Sequence, residues 1–558
     1  MNTIELISAS AGTGKTYRLT ELIVEAVRTG VPPERIMATT FTVKAAAELR
    51  SRVRESLTTQ GHPDLGARVA DAYIGTVHSL CFRLLTEYAV DAGISPDVEV
   101  LPEGDADRIF NAAVATAIDS VADVMEPAAR RMGRTGEGAG YAQERDWRVD
   151  VRAVVAAARA NGMTAADLRV QADETIALWE ETVSTAGRPP TTDELIAAAT
   201  AALEQLESIA APRKGTQDVA ETLRGFLSDS LAGRSVPWRG WVELATAEPK
   251  QDAMGVLDGV HRIARRVCES PEFLTDLRTM VTGVYSCAAE ALDQFTDYKR
   301  QRGLTDYDDL EASVLALLKE RADVQRGIRE RIEIVMVDEF QDTSPMQLAL
   351  FLELHRVVGR SVWVGDPKQA IYGFRGTDPT LMTRIAQLFE SKETLSRSWR
   401  SRQAILDITN AIFTQALHDT PREQIELSLP AERAEKGAGG RVSAWYLDSK
   451  NKSEDANAIA AGVVAFLRRH PDVPAGDIAI LCRSNGHCAA VAEALVARGV
   501  RASVSAGLLS ETREAQITLA ALRYLTDADD TLALAQLMVL LSAEDDLRPA
   551  LLTAPAET

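Results

Sequence analysis

Near its start the chain carries a stretch of residues suited to holding phosphate. Ser10-Ala11-Gly12-Thr13-Gly14-Lys15-Thr16 lies between Ile4–Ser8, a short apolar run that predicts a buried strand, and Tyr17–Arg28, where Leu19, Leu22, Ile23, Ala26 and Val27 recur at helical spacing. Strand, Gly-rich loop and helix in that order are the setting of a Walker A loop. Gly12 and Gly14 let the backbone curl so that its N–H groups converge, and a helix N-terminus adds a favourable field for an anion. Lys15 is then placed to reach the β- and γ-phosphates of a nucleotide, and Thr16 to hold Mg²⁺. Ala9 stands where the first Gly of such a loop is usual, and a small side chain serves there. A Gly-rich turn that binds nothing is the competing reading; the Gly-Lys-Thr ending and both flanks argue against it.

A phosphate loop needs carboxylates to hold the metal and activate water. Glu333–Val337 is an almost continuous apolar run, as expected of a strand buried on both faces of a parallel sheet. It ends in Asp338-Glu339-Phe340-Gln341-Asp342, and loops past the C-terminal ends of such strands are where open α/β sheets bind ligands. Asp338 is the candidate partner for Mg²⁺ and Glu339 the candidate general base. A third strand, Ser361–Gly365, leads into Asp366-Pro367-Lys368-Gln369-Ala370-Ile371-Tyr372-Gly373-Phe374-Arg375-Gly376. Gln369 could sense a γ-phosphate, and Tyr372 and Phe374 offer flat faces on which bases stack at about 1–3 kcal/mol each. Taken alone, those two aromatics fit a packed core equally well.

The elements that must position these residues belong to a large, ordinary globular chain. Its 558 residues predict three or four domains, and abundant Ala with few aromatics predicts many Ala-rich helices. The net charge of −20 argues against nonspecific coating of nucleic acid but permits a local groove for a strand. The five cysteines form no CxxC pair and suit reduced thiols. No charged n-region with an apolar core opens the sequence, and no apolar run reaches membrane-spanning length, so a cytoplasmic protein without a membrane is expected.

The ordered series of motifs resembles the UvrD/Rep/PcrA group of superfamily-one DNA helicases, and within it the RecB and AddA branch. Ala9–Thr16 resembles the family's motif I, Thr39–Leu49 motif Ia, Gly75–Cys81 motif Ib and Tyr307–Leu310 its short acidic motif. Val337–Gln347 resembles motif II, Val364–Gly376 motif III, Leu395–Ser401 motif IV and Ile478–Ser484 the next block. The resemblance covers residues 1–90 and 300–530. It implies an α/β fold of the P-loop NTPase class, with RecA-like parallel sheets and a helical accessory insertion. It also implies ATP and Mg²⁺ as cofactors, and single-stranded DNA or a single-strand/duplex junction as partner, travelled 3′ to 5′. By the same resemblance Phe41, Thr42, Thr76, His78, Tyr372 and Phe374 contact DNA. Ser10 to Tyr17 and Trp399 hold the nucleotide, Gln369 couples γ-phosphate to DNA, and Arg400 is an arginine finger. Such a finger is worth about 10³–10⁵ in rate in related phosphoryl transfer.

The expected organisation is residues 1–88 and 301–385 as the first motor domain and 89–300 as the helical insertion. Residues 386–512 are the first part of a second motor domain, and 513–558 begin a second helical insertion. Within the insertion, Arg130, Arg131, Arg134, Arg145, Arg148, Arg152 and Arg159 could hold phosphates or be solvated helix faces, and Trp238 and Trp241 read as packing residues. Arg441–Leu447 reads as a strand. The sequence departs from the family pattern in three ways. No adenine-reading Gln motif precedes the first strand, Ser398 replaces the usual Asn of motif IV, and no stretch matches motifs V and VI, so the second motor domain reads as incomplete. Two functions are therefore weighed. One is an ATP-driven DNA translocase or helicase in repair, recombination or DNA defence, working with a nuclease or second helicase subunit. The other is an ATP-binding, DNA-binding subunit with little turnover until a partner supplies the missing motifs. A metabolic kinase is a distant third.

Overall fold

The computed structural model describes residues 3–95, 97–136, 145–183, 188–231, 237–371, 384–385, 387, 389, 391–418, 420–504, 513–527 and 530–541. The chain divides into two units, Met1–Arg441 and Val442–Thr558. The strands of the first are β1 (Thr3–Ala9), β2 (Ile36–Thr40), β3 (Tyr73–Thr76), β4 (Glu99–Val100), β5 (Leu304–Thr305), β6 (Ile334–Val337), β7 (Arg360–Gly365) and β8 (Ser391–Leu395). Six of them form one parallel sheet in the order β3-β2-β6-β7-β1-β8, and β4 pairs with β5 apart from it.

Every position of β2 and β6 is buried, as a strand covered on both faces requires. Alternation sorts their side chains onto two cores. Val335, Val337, Met37, Leu6 and Trp363 face one, with Phe351 and Leu354 packed on them. Ile334, Met336, Ile36, Ile7 and Val362 face the other, under Leu19, Ile23 and Val27. The helices that bear on the site are α1 (Lys15–Arg28), α2 (Val43–Thr59), α3 (Val77–Glu87), α4 (Trp147–Ala160), α5 (Pro271–Arg302), α6 (Tyr307–Glu320) and α7 (Pro345–Val358).

Between β3 and β5 the chain is almost wholly helical, as expected of the insertion. It has two apolar centres. One gathers Trp147, Val151, Phe295 and Val114, and the other Trp238, Trp241, Leu195 and Leu223. Both Trp238 and Trp241 are buried, and the Trp238 indole N–H donates to Asp276 at 2.8 Å, so the packing reading of this pair holds. The arginine cluster is not a bare basic patch. Arg130 pairs with Glu126, Arg131 with Asp276, Arg134 and Arg145 with Asp150, Arg148 with Asp146, and Arg159 with Asp306, Asp308 and Asp309. Arg152 donates to Asn111.

Two expectations require correction. The boundary between residues 385 and 386 falls before β8, which pairs in parallel with β1 and so completes the first sheet. Its sequence, SKETL, is polar because it is an edge strand, and Arg18 of α1 anchors it through Glu393 at 3.0 Å. The strand expected at Arg441–Leu447 is not formed. A strand needs a ladder partner, and among the described residues of Val442–Thr558 there is none. That unit is described by its helices, of which Lys452–Arg469 and Asn485–Val496 share a small apolar core around Ala460, Val463 and Val491. Arg513–Thr526 and Thr531–Leu541 are helical, as their sequences suggested. No helix among the described residues is long and apolar enough to cross a membrane.

Candidate functional site

The loops leaving β1, β2, β3, β6 and β7 all emerge at the C-terminal edge of the sheet. After β1 the chain turns through Gly12 at φ +79° and Gly14 at φ +93°, in the left-handed region that favours glycine. A side chain on Gly12 would also meet Arg400 Cβ at 2.8 Å. Gly14 caps α1 without offering a side-chain acceptor, and the first turn of α1 holds no acidic residue, so its field is left for an incoming anion. Thr13 is buried and its hydroxyl donates to Ser10 O at 2.7 Å, which tightens the turn.

Lys15 and Thr16 begin α1. The Lys15 ammonium donates to Glu339 Oε2 at 2.6 Å, joining the loop after β1 to the loop after β6. Glu339 itself sits at φ +53°, ψ +43°, a left-handed conformation rare outside glycine. The Glu339 N–H donates to Asp338 Oδ1 at 3.0 Å. Burial, and then the neighbouring Glu339 charge, push the Asp338 carboxyl up to about 6. The same two causes push Asp342 up to about 6. Paired carboxylates in a partly buried loop next to a lysine suit a divalent cation, and Thr16 and Asp338 are the residues that would hold it.

Gln341 is almost wholly buried and was not singled out from sequence. Its amide N–H₂ donates to Glu339 Oε2 at 2.7 Å and to Asp342 Oδ2 at 3.2 Å, and its Oε1 accepts from the Asp366 N–H at 2.8 Å. Asp366 in turn accepts from Gln369 at 2.7 Å and pairs with Lys368 at 2.8 Å. Burial alone would raise the Asp366 carboxyl, but the Lys368 ammonium and the bonds from Gln369 and the Lys368 N–H hold it below the usual carboxylate range. A hydrogen-bonded line therefore runs from Lys15 through Glu339, Gln341 and Asp366 to Gln369.

The segment after β8 returns to the first loop. The Trp399 N–H donates to Gly12 O at 2.7 Å, and the Trp399 ring stands over Gly14, half exposed. Ser398 is fully buried; it accepts from the Ser401 N–H and its own N–H donates to Ser428 O, so it serves as a turn-former. Arg400 is exposed with its Cβ against Gly12, and Tyr17 is exposed on the first turn of α1. Ser10 to Tyr17, Trp399 and Arg400 are thus brought together around one loop.

Four of the expected DNA contacts also converge. Phe41, Thr42, Thr76 and His78 line one groove of about 780 Å³ together with Tyr307, Glu311, Asp342 and Gln347. Thr42 and Thr76 cap α2 and α3, which fixes their hydroxyls at the two helix N-termini facing the groove. His78 stacks on Tyr307 at 4.2 Å, and its Nε2 lies 2.9 Å from the buried Glu311, which also accepts from Gln347 at 2.6 Å. Glu311 carried no sequence signal, since nothing in a helix of ordinary pattern marks one glutamate as buried. Tyr372 and Phe374 lie outside the described residues.

Comparison with known proteins gives this geometry a family. The family model described as the UvrD/REP helicase N-terminal domain matches residues 1–227 and 260–390. The UvrD-like helicase C-terminal domain matches residues 394–544. Curated relatives, each named as one of the subunits of an ATP-dependent helicase/nuclease, include one from Exiguobacterium sibiricum, 26% identical over 75% of this chain and 39% of the relative. One from Listeria monocytogenes is 25% identical over 76% of this chain and 39% of its own length. One from Streptococcus suis is 25% identical over 96% of this chain and 49% of its own length. The chain spans two-fifths to half the length of these relatives, all of the branch that the order of motifs resembles. With the N-terminal model alone matching more than half of its residues, the chain belongs to the UvrD/REP helicase family.

Proposed function

We propose that this chain carries the ATP-hydrolysing motor of a DNA translocase or helicase that moves 3′ to 5′ on single-stranded DNA. It serves repair, recombination or DNA defence beside a nuclease or second helicase subunit. The observation that carries the reading is the line of hydrogen bonds from Lys15 to Gln369, with the Phe41–His78 groove opening on the same edge of the sheet. The names of the relatives, as subunits of an ATP-dependent helicase/nuclease, support the substrate and partner.

In this reading the first loop and the α1 N-terminus bind the phosphates, and Trp399 and Tyr17 flank the base. Thr16 and Asp338 would hold Mg²⁺, which would supply charge neutralisation for the phosphates. Lys15 holds the Glu339 carboxylate. A γ-phosphate competes for the ammonium, which frees Glu339 to take a proton from water while Gln341 keeps it oriented. Arg400 stabilises charge on the transferred group.

Titration with a fluorescent ATP analogue tests the site. Lys15→Ala should weaken binding at least about tenfold, since it removes a charge-assisted contact to phosphate. Unchanged affinity in Lys15→Ala would place the nucleotide elsewhere.

A further inference from the structure

Asp342 stands between the groove and the carboxylate that activates water. One of its oxygens accepts from the Gln341 amide at 3.2 Å, the same amide nitrogen that holds Glu339 Oε2 at 2.7 Å. Its other oxygen, Oδ1, is buried and has no hydrogen-bond partner among the described residues. The same side chain lines the groove shared by Phe41, Thr76, His78 and Tyr307. A buried acceptor without a donor is costly, and such groups in native proteins call for an explanation. Two carboxylates share one amide here, so a change at either is felt at the other.

We propose that Asp342 and Gln341 form a relay by which occupation of the groove sets the posture of Glu339. A strand in the groove brings N–H or O–H donors, from base edges or from water ordered around the strand, within reach of Asp342 Oδ1. That draws the Asp342 carboxylate toward the groove and loosens its hold on the Gln341 amide, which then serves Glu339 alone. Gln341 Oε1 stays on the Asp366 N–H, so the same amide also reports to the loop bearing Gln369. Asp342 is a positioning residue: it touches neither the phosphates nor the attacking water and acts through Gln341. The inference rests on the motor reading above and adds to it the route from groove to base.

The test is ATP turnover of the full 558-residue chain with and without saturating oligo-dT, in the unaltered protein, Asp342→Asn and Asp342→Ala, beside oligo-dT affinity by fluorescence anisotropy. Asp342→Asn keeps an acceptor for Gln341 but turns the other oxygen into a donor. The relay predicts that both variants still bind oligo-dT while the ratio of turnover with DNA to turnover without it falls at least about tenfold, equivalent to about 1.4 kcal/mol of lost coupling. An unchanged ratio in Asp342→Asn with normal folding overturns the relay and leaves the motor reading standing. Loss of oligo-dT binding in both variants also overturns it, making Asp342 a plain DNA contact. If the unaltered chain binds oligo-dT with no effect on turnover or nucleotide affinity, the relay and the motor reading fall together.

Discussion

Glu339 is held in a left-handed backbone conformation that costs on the order of 1–2 kcal/mol for a residue with a Cβ. Such strain is retained where the surroundings over-determine it, and here Lys15 and Gln341 both grip the resulting carboxylate. Asp338 carries a second cost. Burial and the Glu339 charge disfavour ionisation and push its carboxyl from an ordinary 3.8 up to about 6 in the fold. A raised folded value means that the favourable contribution is fully present below the unfolded value and is lost as pH rises through the folded one. Asp338→Asn should therefore raise the thermal midpoint of the nucleotide-free protein at about pH 8, by the equivalent of about 1–3 kcal/mol, and change it little near pH 4. Scanning calorimetry at the two pH values checks this, and a larger gain at the acid end would contradict the assignment. At this scale the sequence was informative wherever a loop follows an apolar strand, because strand ends fix loop positions. The placement of Lys15, Asp338, Glu339 and Gln369 just after strands was legible for that reason. Glu311 and Gln341 were not, because their partners are set by helix packing and by the turn after β6.

Among the elements, the helical insertion is tied to the groove by buried charge. Lys299 on α5, almost wholly buried, donates to Asp306 at 2.8 Å and Asp309 at 2.5 Å, where α6 begins. Arg159 on α4 pairs with the same two aspartates. Asp306 and Asp309 cap α6, the helix that carries Tyr307 and Glu311 into the groove. Lys299→Met removes the buried cation from a cluster of half-buried carboxylates that Arg159 still contacts, which costs on the order of 3 kcal/mol. Urea unfolding followed by far-ultraviolet dichroism should show that loss, and a change below about 1 kcal/mol would mean the cluster is solvated. The element pattern itself was readable where apolar periodicity was strong, as in β6 and α1. It failed at β8, whose polar edge sequence gains its place only by pairing with β1 far away in the chain. It failed again at Arg441–Leu447, where an alternating pattern has no neighbouring strand to pair with among the described residues.

At the scale of the whole molecule, the proposed function asks a chain of net charge −20 to recognise a polyanion locally. The groove lining includes no lysine or arginine among the described residues; it offers Phe41, His78 and Tyr307 as flat faces and Thr42 and Thr76 at helix N-termini. In the proposed function its share of binding is therefore stacking and hydrogen bonding. Phe41→Ala should weaken oligo-dT binding by about 1–3 kcal/mol and leave the slope of log K against log salt unchanged, measured by anisotropy across a salt series. A flattened slope would show that Phe41 acts by placing phosphates.

Lys15 and Glu339 are proposed to form a hydrolytic site answering to single-stranded DNA. Steady-state ATPase of the chain, with and without oligo-dT, beside Lys15→Ala and Glu339→Gln, tests it most directly. DNA-stimulated turnover should fall about 10²–10⁴-fold in Glu339→Gln and be likewise lost in Lys15→Ala. Stimulated turnover that survives Glu339→Gln would contradict it.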